Sequence, residues 1–334
     1  MKFTIALPQS NRLSTPTAIR DVAQAADALG FWALSLDDHV VWDGKWIACG
    51  SDEDDGTEDV RNVYEPLTTY AHLSGLTRQI NLLFSIMLVP LREPLMAAKQ
   101  IAVLDQLSGG RVLLGIGVGL AGNDTDPPFV EVLSRNAARE WEALDVPARK
   151  RGKLTDERIA ALRALWGQDT ASFAGDFVQF AEIAMYPKPV RPGGPPILIA
   201  GNSPAALERT ARGGFTWLPN HSRPEEIAQG LGFLKQLHAK HGTAYTGELV
   251  VDMFMRLDDS VLAAEESFPE ALKALGPELS QRNLLGSPAD IVKRTADYAD
   301  AGVTALDLKP IYHSVDELLA MMQTFAAEVM PATA

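Results

Sequence analysis

The chain has 334 residues, 46% of them apolar, a formal net charge of -13 and one cysteine. That length accommodates two ordinary domains or one α/β barrel with insertions; the acidity argues against nucleic-acid and anionic-membrane partners, and no window is apolar enough to span a bilayer. The lone Cys49 excludes an internal disulfide framework and suits a reducing cytoplasm, and one cysteine with six scattered histidines argues against a structural metal site.

The first residues carry one lysine and then an amphipathic run, without the long apolar core of a signal peptide. Residues 3–7 read as a strand closed by Pro8. Pro16 suits a first helical position, and Ile19, Val22, Ala23, Ala26 and Leu29 mark one face of a helix that Gly30 ends. Residues 31–36 form a second strand running directly into Asp37, Asp38 and His39. Strand, helix and strand with short links imply a right-handed parallel unit. The connection over 43–62 is acidic, with six carboxylates at Asp52, Glu53, Asp54, Asp55, Glu58 and Asp59. Such a run repels itself and reads as a solvated loop, with a mobile lid as the functional alternative.

A helix is expected over 65–76 and a third strand over 80–89. Pro94 opens the next helix, Ala97, Ile101 and Leu104 recur at helical spacing, and Gly109 supplies the left-handed residue that ends it. Residues 112–116 read as a strand buried on both faces, leading into Gly115, Gly117 and Gly119 in alternation. Either these glycines mark a bend at a barrel rim, or their missing side chains let something flat or bulky lie against the backbone. Residues 120–151 read as an insertion with a helix over 129–144. A helix over 154–165 and a hairpin over 173–180 follow. Further strands are expected at 197–200, 215–218, 248–255 and 303–308, with helices over 226–238, 287–301 and 315–329. Eight strands separated by helical sequence fit a single-domain (β/α)8 TIM barrel over 1–334. A doubly wound sheet with a second domain is the rival, and no flexible linker near the middle favours it.

In such a barrel the active site lies at the carboxyl ends of the strands, where Asp37, Asp38 and His39 stand. A carboxylate beside an imidazole raises its pKa and orients its proton, which suits acid–base work; the same residues also serve as a capped strand end. At Gly201-Asn202-Ser203-Pro204 the glycine frees the backbone and Ser203 can cap a helix. This is either an ordinary capped helix or a phosphate site built from helix-start amides. Arg149, Lys150 and Arg151 read as a solvated basic turn or as an attraction for an anionic tail.

The run SGGR at 108–111, the apolar strand after it and GIGVG at 115–119 together resemble the signature of the luciferase-like flavin-dependent oxidoreductases. That superfamily includes bacterial luciferase, FMN-dependent monooxygenases and enzymes of the deazaflavin coenzyme F-420. The resemblance covers most of the chain, with motifs in the expected order. It implies that Asp38 contacts the cofactor ring system, that His39 serves catalysis or cofactor positioning, and that Trp42 stands on the substrate side. It implies a non-prolyl cis peptide at Ser85–Ile86 behind the cofactor's central ring. Gly117, Val118, Gly119 and Asn123 become cofactor contacts, and Gly201, Asn202 and Ser203 hold its phosphate. A homodimer acting on a small-molecule substrate is also implied. Two departures stand out. Leu120 occupies the place of the catalytic glutamate of the family's sugar-phosphate dehydrogenases, which argues against sugar-phosphate oxidation. Residues 213–217, GGFTW, replace a GDGW-like turn and leave the substrate side open.

The leading expectation is F-420-dependent hydride transfer to or from a small organic substrate. The alternative is a reduced-FMN-dependent monooxygenase served by a separate reductase, because GIGVG lacks the later glycine and the acidic partner of a dinucleotide-binding unit. A non-catalytic flavin-binding relative is the third.

Overall fold

A computed structural model describes residues 1–333 except 11, 42–44, 48–56, 60–61, 121–127, 246 and 274–277. The chain begins with β1 (Lys2–Ala6), α1 (Pro16–Leu29) and β2 (Ala33–Leu36). An antiparallel arm of β3 (Lys45–Ile47) and β4 (Thr57–Asp59) follows. Then come α2 (Pro66–Ser74), β5 (Asn81–Met87), α3 (Pro94–Ser108) and β6 (Val112–Ile116). The insertion holds α4 (Pro128–Ala143) and leads into α5 (Arg151–Gly167). After the hairpin β7 (Ala171–Ala174) and β8 (Gln179–Ile183) the alternation resumes with β9 (Ile197–Ala200), α6 (Pro204–Gly213), β10 (Thr216–Leu218), α7 (Pro224–His241) and β11 (Val250–Leu257). Three short helices, α8 (Val261–Glu266), α9 (Glu270–Lys273) and α10 (Leu279–Arg282), precede β12 (Leu284–Gly286), α11 (Pro288–Asp300), β13 (Ala305–Pro310) and α12 (Val315–Thr324).

Local chemistry explains the helix starts. Proline opens α1, α2, α3, α6, α7 and α11, where its fixed φ suits the helix and its missing N–H would have had no partner. Thr15, Ser203 and Ser287 place side-chain oxygens on the first free amides.

The main sheet runs β10-β9-β6-β5-β2-β1-β13-β11-β12, and every pairing in it is parallel. Just beyond β10, Asn220 bridges to Asp252 of β11 in parallel. That single bridge closes eight strands into the expected TIM barrel, and β12 adds beside the carboxyl end of β11. The period-two alternation of strands divides the core. Ala33, Leu83, Leu113, Leu198, Val250 and Ala305 fill the barrel interior at its amino end. Their neighbours Leu34, Leu82, Leu114, Ile199, Val251 and Leu306 pack outward into the large core under the helices.

Four differences from the sequence reading have physical causes. The third barrel strand stops at Met87, because its register against β6 shifts between Phe84 and Met87 and a 3-10 turn, Val89–Leu91, follows. Part of the acidic connection is paired as the β3–β4 arm, while the carboxylates at 52–55 lie outside the described residues. β12 has three residues, too few to show periodicity. The closing helix changes to a π-helical turn at Phe325–Val329, where Phe325 meets the rings of Phe3 at 4.9 Å and Phe31 at 6.0 Å. Among the described residues, no helix is long and apolar enough to cross a membrane.

Candidate active site

A cavity of about 420 Å3 opens at the carboxyl ends of the barrel strands. Asp38, His39, Ser85, Ile86, Gly117, Val118, Gly119 and Gly201 all line it. Asn202 and Ser203 do not. Asn202 Nδ2 donates to the Asn220 carbonyl at 2.9 Å, and Ser203 caps α6. Trp42 and Asn123 lie outside the described residues.

The alternating glycines of the β6 mouth have a definite cause. A Cβ on Gly115 would stand 2.1 Å from the Phe84 carbonyl oxygen, and one on Gly117 would stand 1.7 Å from Ile86 Cδ1. A Cβ on Gly119 would meet the Trp141 ring at 2.8 Å. The space these side chains would fill is therefore taken by the chain itself. It admits the irregular end of β5, where the Ser85–Ile86 peptide is cis as the resemblance implied, and the indole of α4. At Gly201, φ is +111° and the nearest atom to an added Cβ is the Ala206 methyl at 3.5 Å. Backbone conformation, rather than crowding, calls for glycine there.

The end of β2 is held from three sides. Gln9 accepts from the Asp37 amide at 2.8 Å, while its Nε2 donates to the carbonyls of Asp37 at 2.7 Å and Tyr64 at 2.5 Å. Asp38 is 3% exposed. Its carboxylate accepts from the Leu88 amide at 2.9 Å and takes two bonds from the Arg92 guanidinium, at 2.9 and 2.5 Å. Arg92 also reaches Glu65 at 2.8 Å. This fork ties the end of β2 to the end of β5, and it commits the Asp38 carboxylate to the protein's own donors.

His39 faces Glu140 of α4, with Nδ1 3.3 Å from Oε2. Glu140 is 1% exposed and also accepts from the amides of Val40 and Val41. Burial opposes the charge on His39, but the Glu140 hydrogen bond and charge, with Asp37 and Asp38, raise its pKa above the ordinary 6.5. Burial likewise works against ionised Glu140, but His39 and the two amides hold its pKa below the usual value. Together they form a hydrogen-bonded pair on the cavity wall.

The floor is polar. On β13 the inward positions are Ala305, Asp307 and Lys309. Asp307 is fully buried and accepts from Ser35 Oγ at 2.6 Å. Lys309 Nζ lies 3.4 Å from Asp37 Oδ1, 3.4 Å from the Ser85 carbonyl and 3.6 Å from Asp307 Oδ2. Burial works against its charge, but Asp307, Asp37 and Asp252 hold its pKa well above the usual lysine range. Asp252 stands opposite Asp307 in the β11–β13 register. His221, at φ +43°, packs its ring 4.7 Å from that of Phe254, and burial pushes its pKa down to about 4. Gln9, Glu140, His221, Asp252 and Lys309 all line the cavity, and the sequence reading singled out none of them. Asp252 and Lys309 carried a signal, since each is a charged residue at an inward position of a mainly apolar strand.

Residues 1–273 match the luciferase-like monooxygenase family. The chain belongs to that family. An uncharacterized protein of Mycobacterium bovis is 29% identical over 249 residues, covering 71% of this chain and 80% of that one. An FMNH(2)-dependent dimethylsulfone monooxygenase of Pseudomonas putida is 25% identical over 306 residues, covering 81% of this chain and 78% of the other. An F-420-dependent secondary alcohol dehydrogenase, solved with an F-420–acetone adduct, superposes over the whole of both chains with a TM-score of 0.77 at 18% identity. The luciferase-like family thus accounts for the fold, which the F-420-dependent dehydrogenase shares.

Proposed function

We propose that the cavity binds a flavin-type cofactor and that the enzyme transfers hydride between coenzyme F-420 and a small organic substrate. The observation that carries this reading is the His39–Glu140 pair on the wall of the cavity that Ser85 and Ile86 enter. The residues fit a tricyclic ring. Ser85 Oγ is buried, lines the cavity and has no hydrogen-bond partner, so a polar ring edge would satisfy it. At the mouth, Gly201 presents uncrowded backbone to whatever extends outward.

When bound, the cofactor supplies or accepts the hydride. The protein does the rest. Ile86 and Ser85 would back the ring system. Glu140 fixes the imidazole through Nδ1 and stabilises its charged form, so that His39 exchanges a proton with the substrate oxygen. Gln9 and the Asp38–Arg92 fork keep this turn in place. The apolar wall of Leu7, Leu88, Leu218 and Trp141 excludes water.

A second reading, reduced-FMN-dependent oxygenation, is supported by the similarity to the dimethylsulfone monooxygenase and would draw reduced flavin from a separate reductase. Anaerobic and aerobic titrations with both reduced cofactors separate the two. Tighter binding of F-420 and turnover of secondary alcohols or ketones without oxygen are expected. Tight binding of reduced FMN, with oxygen consumed in step with product, would replace the first reading by the second.

A further inference from the structure

The cavity floor carries more acid than base. Asp37, Asp252 and Asp307 converge there around the Lys309 ammonium, which makes its ion pairs with Asp37 at 3.4 Å and Asp307 at 3.6 Å. The Asp252 carboxyl lines the cavity, yet Oδ1 is buried without a hydrogen-bond partner. Groups cut off from water in this way have lost hydrogen bonds that nothing in the chain returns. A ligand bringing a donor would return them. A ligand bringing a second anion would meet three carboxylates and an ammonium already shared between two of them, and like charges at close quarters are strongly unfavourable.

We infer that Asp252 is a specificity-determining residue, accepting a hydrogen bond from the amine or hydroxyl end of the substrate and rejecting substrates that carry a carboxylate there. This rests on reading the cavity as the substrate site of an oxidoreductase. His221 closes the same side without adding a positive charge, because burial keeps its imidazole neutral near pH 7. Burial pushes the Asp252 carboxyl up to about 7, with Lys309 opposing and Asp307 and Asp37 adding to the shift. At pH 8 it is mainly ionised and poised to accept.

The test uses three probes of matched length, 1-hexanol, hexylammonium and hexanoate, titrated at pH 8 into the full chain with and without F-420. Binding is followed by tryptophan fluorescence, since Trp141 lines the cavity. Hexanol and hexylammonium should bind about tenfold or more tightly than hexanoate. Asp252→Asn, close to isosteric, should weaken hexylammonium about tenfold and bring hexanoate within about threefold of hexanol, because it removes the charge and keeps the shape. Asp252→Ala, with the fold checked by circular dichroism, should lose the same discrimination. Hexanoate binding as tightly as the other two, no binding by any probe, or unchanged ratios in both variants would each overturn the inference. Cofactor titrations on the same preparations keep the two ideas apart. Cofactor binding without probe discrimination removes the role of Asp252 alone, whereas discrimination without binding of either cofactor removes the oxidoreductase reading instead.

Discussion

His39 is paired with Glu140 through Nδ1, and its chemistry depends on that pairing. His39→Ala should lower kcat by about 100–10,000-fold while the cofactor dissociation constant changes far less, as read from steady-state kinetics and fluorescence titration. Unchanged kcat would remove His39 from the mechanism. Glu140→Gln takes away the charge that overcomes burial, so the imidazole pKa should fall and the corresponding limb of the kcat/KM profile should move to lower pH. Stability follows the same linkage. The folded pKa of His39 is raised, so its contribution is complete below the unfolded value near 6.5 and is lost as pH rises through the folded value. Thermal melts should show Glu140→Gln flattening that loss. At the neighbouring fork, Arg92→Ala leaves the 3%-exposed Asp38 carboxylate with, among the described residues, the Leu88 amide alone. Removing one partner of a buried pair costs about 3–5 kcal/mol, measurable by urea denaturation. Some of this was legible from the chain alone. Asp38 and His39 stand where a strand ends, and the SGGR and GIGVG runs carry a family signature. Glu140 was not, because its partnership spans 101 residues and depends on where an inserted helix lands. Asp252 is the one polar letter inside VVDMF and Lys309 one of two inside ALDLKP, and their meaning emerges only when inward positions are aligned across strands.

The junction of β5 and β6 is a lock between two elements. Gly115→Ala and Gly117→Ala should each destabilise the protein by about 1–3 kcal/mol through overpacking. Their rescue should differ. The atom that a Cβ at 117 would strike is Ile86 Cδ1, at 1.7 Å, and Ile86→Val deletes that atom. The double variant Gly117→Ala with Ile86→Val should recover much of the loss. At 115 the obstacle is the backbone oxygen of Phe84, at 2.1 Å, so no side-chain change can relieve it. A double-mutant cycle that finds equal coupling to Ile86 at both glycines would contradict this account. Element types were readable because buried parallel strands are continuous apolar runs and proline marks helix starts. The shift in β5, the β3–β4 arm and the π-helical turn at Phe325 were not, because each is imposed by packing partners distant in sequence.

At the scale of the whole barrel, the eight seams are unequal. β11 and β13 share six paired positions. The seam on the other side of β11 is the Asn220–Asp252 bridge, with the Asp252 amide donating to the Pro219 carbonyl at 3.0 Å and the His221 amide donating to the Asp252 carbonyl at 2.8 Å. Native-state hydrogen exchange should find these two amides among the fastest of the barrel ladder and those of Met253 and Leu308 among the slowest; equal protection would show that closure does not depend on this joint. Asn220, His221 and Asp252 also line the cavity. A molecule lodged there touches both edges of the joint, so it acts as a clasp on a hoop, and occupancy should slow exchange at 221 and 252 more than anywhere on the opposite wall. The weakest point of the ring is then also its sensor of whether the barrel is filled.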